Sequence, residues 1–220
     1  MKNIKFAVVL AGCGVYDGAE IQEAVLTMLA IYQAGAEYQC FAPDIPQYHV
    51  INHLTGKTQD ETRNVLVEAA RIARGAIKPI TEFDPADFDA LVFPGGFGVA
   101  KNLCTFAIDG PNCSVNPDAA EAVKKAYNMK LPIGALCIAP AFIAKVLGKA
   151  TLTIGTDKGT AQAIESLGAK HQTTEGPDIV IDMGNRIVTS PCYMHDTTIG
   201  VVAEGAKNVI EALLKMMEED

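Results

Sequence analysis

Between Phe6 and Ala11 the chain runs FAVVLA without a polar residue, then breaks into the glycine-rich turn GCGVYDG. A strand with one face in water alternates polar and apolar side chains. An unbroken apolar run instead fits a strand covered on both faces, the central position of a parallel sheet packed between helices. Two further strands share its surroundings. Asp87 to Pro94 enters the sequence FPGGFG, and the apolar run Ile133 to Leu136 ends on Cys137, each followed by helix-compatible or turn-forming residues. Strands that alternate with helical patterns predict an α/β chain of flavodoxin-like, doubly wound type, with a mostly parallel sheet sandwiched by helices.

Length suits that architecture: 220 residues are enough for one α/β domain with a sizeable core and short for two, so a single domain over residues 1–220 is expected. Aromatic residues make up only 6% and tryptophan is absent, which leaves Ala, Val, Ile and Leu to build the core. A net charge of −8 and the lack of any Lys/Arg cluster argue against a nucleic-acid surface. The N-terminal apolar run is about six residues, too short to span a bilayer. It breaks at Gly12 without a small-x-small cleavage site, so it is expected to be the first strand and no membrane partner is expected. Six cysteines, Cys13, Cys40, Cys104, Cys113, Cys137 and Cys192, are scattered with no C-x-x-C pair. That pattern fits neither a zinc site nor a disulfide scaffold and points to a reduced, cytoplasmic setting.

Taken in order, Asp17 is placed to cap a helix from about Ala19 to Gln33, with Glu20 completing a variant of the capping box. Ile21, Val25, Met28 and Tyr32, with Leu29 beside them, form the main apolar stripe of this helix, and spacing alone makes Glu23 a solvated charge. Yet Glu23 lies close after the first strand, where ligands bind in open α/β sheets. A strand is expected at Glu37 to Ala42, a connection at Pro43 to Gly56, and an amphipathic helix at Thr58 to Gly75. Lys101 to Asn116 resembles an insertion, and Pro117 to Met129 a helix. Thr151 to Gly155 is strand-like and Lys158 to Leu167 helical. Ile179 to Asp182 and Arg186 to Thr189 suit a hairpin, and a long helix follows from Ile199.

The chemistry concentrates at LPIGALCIAP, residues 131–140. A strand that turns into a helix within one or two residues projects its turn residue outward, and the first helical N–H groups face it. Cys137 occupies that turn, where the same N–H groups would stabilise a thiolate and lower its pKa. A buried structural thiol is the other role such a cysteine fills. The glycines at 95, 96 and 98 permit close backbone approach and can aim N–H groups at an oxyanion, or simply make a tight turn.

Together, AEIQEA at 19–24, FPGGFG at 93–98, GALCIAPA at 134–141 and IVTSPCYM at 187–194 resemble the ThiJ/PfpI superfamily, relatives of the class I glutamine amidotransferases. GCGVYDG, and FAPD followed by VINHLTG, narrow the resemblance to its isoprenoid-biosynthesis-associated glyoxalases. The resemblance implies a homodimer and a reactive elbow cysteine, Cys137, met by a glutamate from the first helix, Glu23. It also implies an oxyanion site from the N–H of Gly95 or Gly96 and that of Ile138. Its activity would convert a small dicarbonyl such as glyoxal to glycolate, with no metal or organic cofactor. An amidotransferase would need a histidine beside Cys137, and only His195, followed by Asp196, is placed to fold back. His49, His53 and His171 show no metal-ligand spacing, and Cys13 and Cys192 fall at sheet ends where cysteines commonly pack. A cysteine that is modified without turnover, a redox sensor, is the third possibility.

Overall fold

The structure is a computed structural model and describes residues 4–218. Its strands and helices follow in the order β1 (Lys5–Val9), α1 (Ile21–Gln33), β2 (Glu37–Ala42), β3 (Ile51–Asn52), β4 (Lys57–Thr58), α2 (Val65–Ile72) and β5 (Ile77–Pro79). Then come β6 (Ala90–Phe93), α3 (Phe106–Asp109), α4 (Pro117–Asn128), β7 (Ile133–Leu136), α5 (Ala139–Leu147), β8 (Thr151–Leu152) and α6 (Lys158–Ser166). The chain closes with β9 (Lys170–His171), β10 (Val180–Asp182), β11 (Ile187–Ser190) and α7 (Ile199–Glu218).

Seven strands form the main sheet in the order β10-β11-β7-β6-β1-β2-β5. All pairs are parallel except β10 with β11, whose hairpin supplies the antiparallel edge. Both faces are covered, as the apolar runs require. Phe6 and Val8 of β1 point to one face, among Ile31 of α1 and Val209 and Leu213 of α7. Ala7 and Val9 point to the other, with Phe93, Val123 of α4 and Phe142 of α5. This is the mostly parallel, helix-sandwiched sheet that the sequence predicts. From β1 the chain winds one way through β2 to β5, then crosses back to β6 and winds the other way to β7 and β11. The reversal opens a crevice at the carboxyl ends of β1 and β6, where such sheets hold ligands.

Several local expectations are corrected. Glu20, not Asp17, caps α1, its carboxylate accepting from the Glu23 N–H at 2.7 Å. Asp17 is buried and accepts instead from the Ile51 N–H at 2.6 Å. The helix expected from Thr58 begins only at Val65, because Lys57–Thr58 pairs with Ile51–Asn52 and the Asn64 side chain caps α2. The face of α1 is also turned, so that of the expected stripe only Met28 is buried. Ile21, Val25, Leu29 and Tyr32 are exposed, the last by 73%, while Glu23, Ala24, Thr27, Met28 and Ile31 are buried. Helix α7 lies along α1 and, with the sheet, covers the face that carries small and polar residues.

Candidate active site

Cys137 sits directly after β7 and before α5, and its φ of +58° places it in the left-handed region that costs a non-glycine residue roughly 1–2 kcal/mol. Its own N–H donates to the Ser190 carbonyl at 2.9 Å, which ties the elbow to β11. The side chain is nearly enclosed, 8% exposed, and the N–H groups of Gly96 and Ile138 lie near enough to its sulfur to favour a thiolate.

Glu23, in the first turn of α1, is fully buried against this sulfur. One carboxyl oxygen accepts from the Gly95 N–H at 3.0 Å and the other from the Tyr193 N–H, also at 3.0 Å. The helix bearing Glu23 is fixed at the site by its neighbours, since the Glu20 N–H donates to the Gly95 carbonyl at 2.9 Å. Phe97 and Gly98 donate in turn to Val15 and Gly18, both at 2.8 Å, so the loops after β1 and β6 form one unit. There is no room for side chains in it. A Cβ built on Gly95 would lie 2.4 Å from the Cys137 Cβ and 2.5 Å from a Glu23 oxygen. Gly96, at φ +99°, packs against the backbone of Gly18 and Glu20. Beneath the joined loops, buried Asn102 donates to the carbonyls of Ala11 and Asp17 at 2.9 and 3.0 Å.

Burial pushes the Glu23 carboxyl up from 4.5 to about 8; the Tyr193 and Gly95 N–H groups and Cys137 pull it down without offsetting the lost hydration, and the nearby Glu20 charge pushes it further up. Cys137 differs from expectation. Burial, followed by the Glu23 charge, holds its thiol well above the ordinary value, against the pull of the Gly96 and Ile138 N–H groups. The elbow donors are present, but the sulfur is buried and faces a carboxyl. At neutral pH the two groups together keep their protons, and the first to leave makes a single anion shared by the pair.

Of the expected oxyanion donors, Gly95 is therefore already engaged by Glu23, whereas the N–H groups of Gly96 and Ile138 face the reacting sulfur. His195 is not brought to the pair. Its ring packs on Gly155, where an added Cβ would meet it at 2.6 Å, and no histidine lines the cavity over Cys137. Cys192 is buried beneath the site next to Ser190, while Cys13 lies outside the cavity near Glu68 and Arg71. Among the described residues no group of three or more His, Cys, Asp or Glu side chains could hold a metal ion. Two contributors escaped the sequence. The Tyr193 N–H acts through the backbone, which no side-chain pattern reveals, and Glu20 carried only a capping signal.

A cavity of about 370 Å³ opens over the sulfur. Gly96, Cys137, Ile138 and Tyr193 form its floor and near wall, and Val15, Phe97, Ala100, Phe106, Ala107 and Met194 line much of the rest.

No family model matches the chain. The human glutamine amidotransferase-like class 1 domain-containing protein 3, mitochondrial, is 44% identical over 222 residues, covering 96% of this chain and 83% of that protein. A crystal structure of an isoprenoid biosynthesis protein with amidotransferase-like domain from Ehrlichia chaffeensis is 39% identical. It superposes with a TM-score of 0.90 over 96% of this chain and 99% of that one. Glyoxalase III from Candida albicans shares the fold, with a TM-score of 0.61 at 18% identity over 95% of this chain and 97% of its own. The chain belongs to the family of glutamine amidotransferase-like class 1 domain proteins.

Proposed function

We propose that the chain is a cofactor-independent glyoxalase-type lyase of the ElbB kind, which converts glyoxal to glycolate through a Cys137 hemithioacetal. The observation that carries this is the buried pair of Cys137 and Glu23, with Cys137 opening onto a cavity lined by no histidine. A dicarbonyl is already electrophilic and has no amine leaving group to protonate. The pair suffices. In the pair that has lost one proton, the sulfur adds to one aldehyde carbon while Glu23 gives its proton to the oxygen of that aldehyde, beside the N–H groups of Gly96 and Ile138, and is left as a carboxylate. Glu23 then removes the proton from that carbon and returns one to the neighbouring carbon, so the first is oxidised and the second reduced. Water cleaves the resulting glycolyl thioester and restores the thiol. The same addition would act on carbonyls already trapped by amines, a deglycase activity.

Purified protein given glyoxal or glutamine, with glycolate and ammonia followed, tests the reading. Wild type should form glycolate, Cys137→Ser none, and His195→Ala should stay within about twofold of wild type, because packing against Gly155 gives His195 no part in the step. Ammonia release that depends on both Cys137 and His195, without glycolate, would establish the amidotransferase instead. Stoichiometric modification of Cys137 without turnover would establish a sensor.

We also propose a homodimer. The exposed apolar stripe of α1, Ile21, Val25, Leu29 and Tyr32, supports it, being a large unpaired apolar face for one helix. Six free thiols suit the reducing cytoplasm proposed for the chain, although the human relative is mitochondrial by name.

A further inference from the structure

The cavity over Cys137 is much larger than the reaction of glyoxal requires. At about 370 Å³ it falls in the range of pockets that hold drug-sized ligands, roughly 300–1,000 Å³. Glyoxal has four non-hydrogen atoms. The remaining space has a definite chemistry. Val15, Phe97, Ala100, Phe106, Ala107 and Met194 make it predominantly apolar, and Thr160 adds one hydroxyl. Its charge is one-sided as well: Glu20 is the only charged side chain on the lining, and no Lys or Arg is present there. The nearby Lys101 is occupied elsewhere, donating to the Tyr16 carbonyl at 2.9 Å and lying 5.2 Å from the Phe97 ring centroid.

Resting on the glyoxalase reading above, we infer that the substrate is a 2-oxoaldehyde whose ketone carbon carries an uncharged aryl or branched alkyl group that fills the chamber bounded by Val15, Phe97, Phe106 and Met194. An anionic substituent would find Glu20 and no cation. Zwitterionic glutamine would find no cation for its carboxylate. The reaction also gives Glu20 a second consequence. The substrate is neutral and the product, a 2-hydroxycarboxylate, is an anion, so the Glu20 charge leaves entry of the one unopposed and favours departure of the other. The steps balance without a co-reactant. From the singly ionised pair the sulfur bonds to the aldehyde carbon as Glu23 gives its proton to the aldehyde oxygen; the hydrogen on that carbon then leaves as a proton to the Glu23 carboxylate and is delivered to the ketone carbon, the hemithioacetal becoming a thioester. Water then breaks the carbon–sulfur bond, leaving the acid and the thiol.

Phenylglyoxal and glyoxal are the probes for turnover, followed as mandelate and glycolate. Occupancy is read independently of turnover, from protection of Cys137 against iodoacetamide by 2-hydroxyacetophenone, which is neutral, and by benzoylformate, which is anionic. A single methylene in an apolar pocket is worth about tenfold or more in discrimination, and a phenyl group exceeds it. Phenylglyoxal should therefore exceed glyoxal in kcat/KM by at least about tenfold, and 2-hydroxyacetophenone should protect at a concentration at least about tenfold lower than benzoylformate. Glu20→Gln, which keeps an oxygen for the Glu23 N–H, should narrow that second gap. Ala107→Arg, a change at an exposed position on the cavity rim, should narrow it too without touching the cap. Preference for glyoxal, or equal protection by the two analogues in wild type, would overturn the inference. Protection of the expected kind with no turnover of either aldehyde would uphold the ligand class and reject the glyoxalase reading. Turnover of both aldehydes at equal efficiency without selective protection would do the reverse.

Discussion

Glu23→Gln should change the sign of its effect on stability as pH rises. In the folded protein this carboxyl is held at about 8, against an ordinary 4.5. Between those values the native state keeps a proton that the unfolded chain has released, so the free energy of unfolding must fall as pH rises. The stabilising contribution is fully present below 4.5 and is lost as pH rises through about 8. The gap of about 3.5, at about 1.36 kcal/mol for each pH unit, amounts to roughly 5 kcal/mol across the window. Glutamine does not titrate, but its amide must set an NH₂ against the N–H of Gly95 or of Tyr193. A donor facing a donor costs about 1–3 kcal/mol at every pH. The variant should therefore be the less stable protein near pH 4.5 and the more stable one at pH 8 and above. Urea unfolding of both proteins at half-unit steps from pH 4.5 to 8.5, followed by circular dichroism, gives the difference directly, and titrations common to the two cancel. Parallel stability curves would refute the buried, protonated carboxyl.

The rate of Cys137 alkylation by iodoacetamide should rise with pH and reach half its plateau no lower than about 8, where the pair first loses a proton; an inflection well below 7 would show the depressed thiol expected from the elbow alone. Gly95→Ala would force its Cβ to within 2.4 Å of the Cys137 Cβ. Such overpacking, at about 1–3 kcal/mol, should lower kcat/KM for glyoxal by roughly 5- to 150-fold while the far-ultraviolet spectrum is kept, and an unchanged rate would disprove the close fit.

The sheet was legible in the chain because a strand buried on both faces leaves a continuous apolar record, as at Phe6–Ala11 and Ile133–Leu136. The elbow was legible for a similar reason. A strand, one cysteine and the helix formers after it are local facts, and the structure puts Cys137 at that turn with positive φ. Two-residue strands such as β3 and β4 leave too short a pattern to compete with a helical one, and the helix expected from Thr58 shows the result.

Glu23 was a different matter. On α1 the larger apolar residues Ile21, Val25, Met28 and Tyr32, with Leu29 beside them, suggest the buried face, and by periodicity Glu23 belongs in water. Only packing decided otherwise: with α7 alongside, the narrow face of Ala24, Thr27 and Ile31 turns inward and carries Glu23 with it. The protonation of the pair was equally hidden, since desolvation and the distance between two side chains 114 positions apart exist only after the chain has folded. Sequence thus determined which backbone segments become strands and where the sulfur would stand, because those depend on neighbours in the chain. Tertiary structure decided what the sulfur faces, that Gly95 serves Glu23 and that His195 lies against Gly155, because these are meetings of distant segments whose outcome rests on shape and burial.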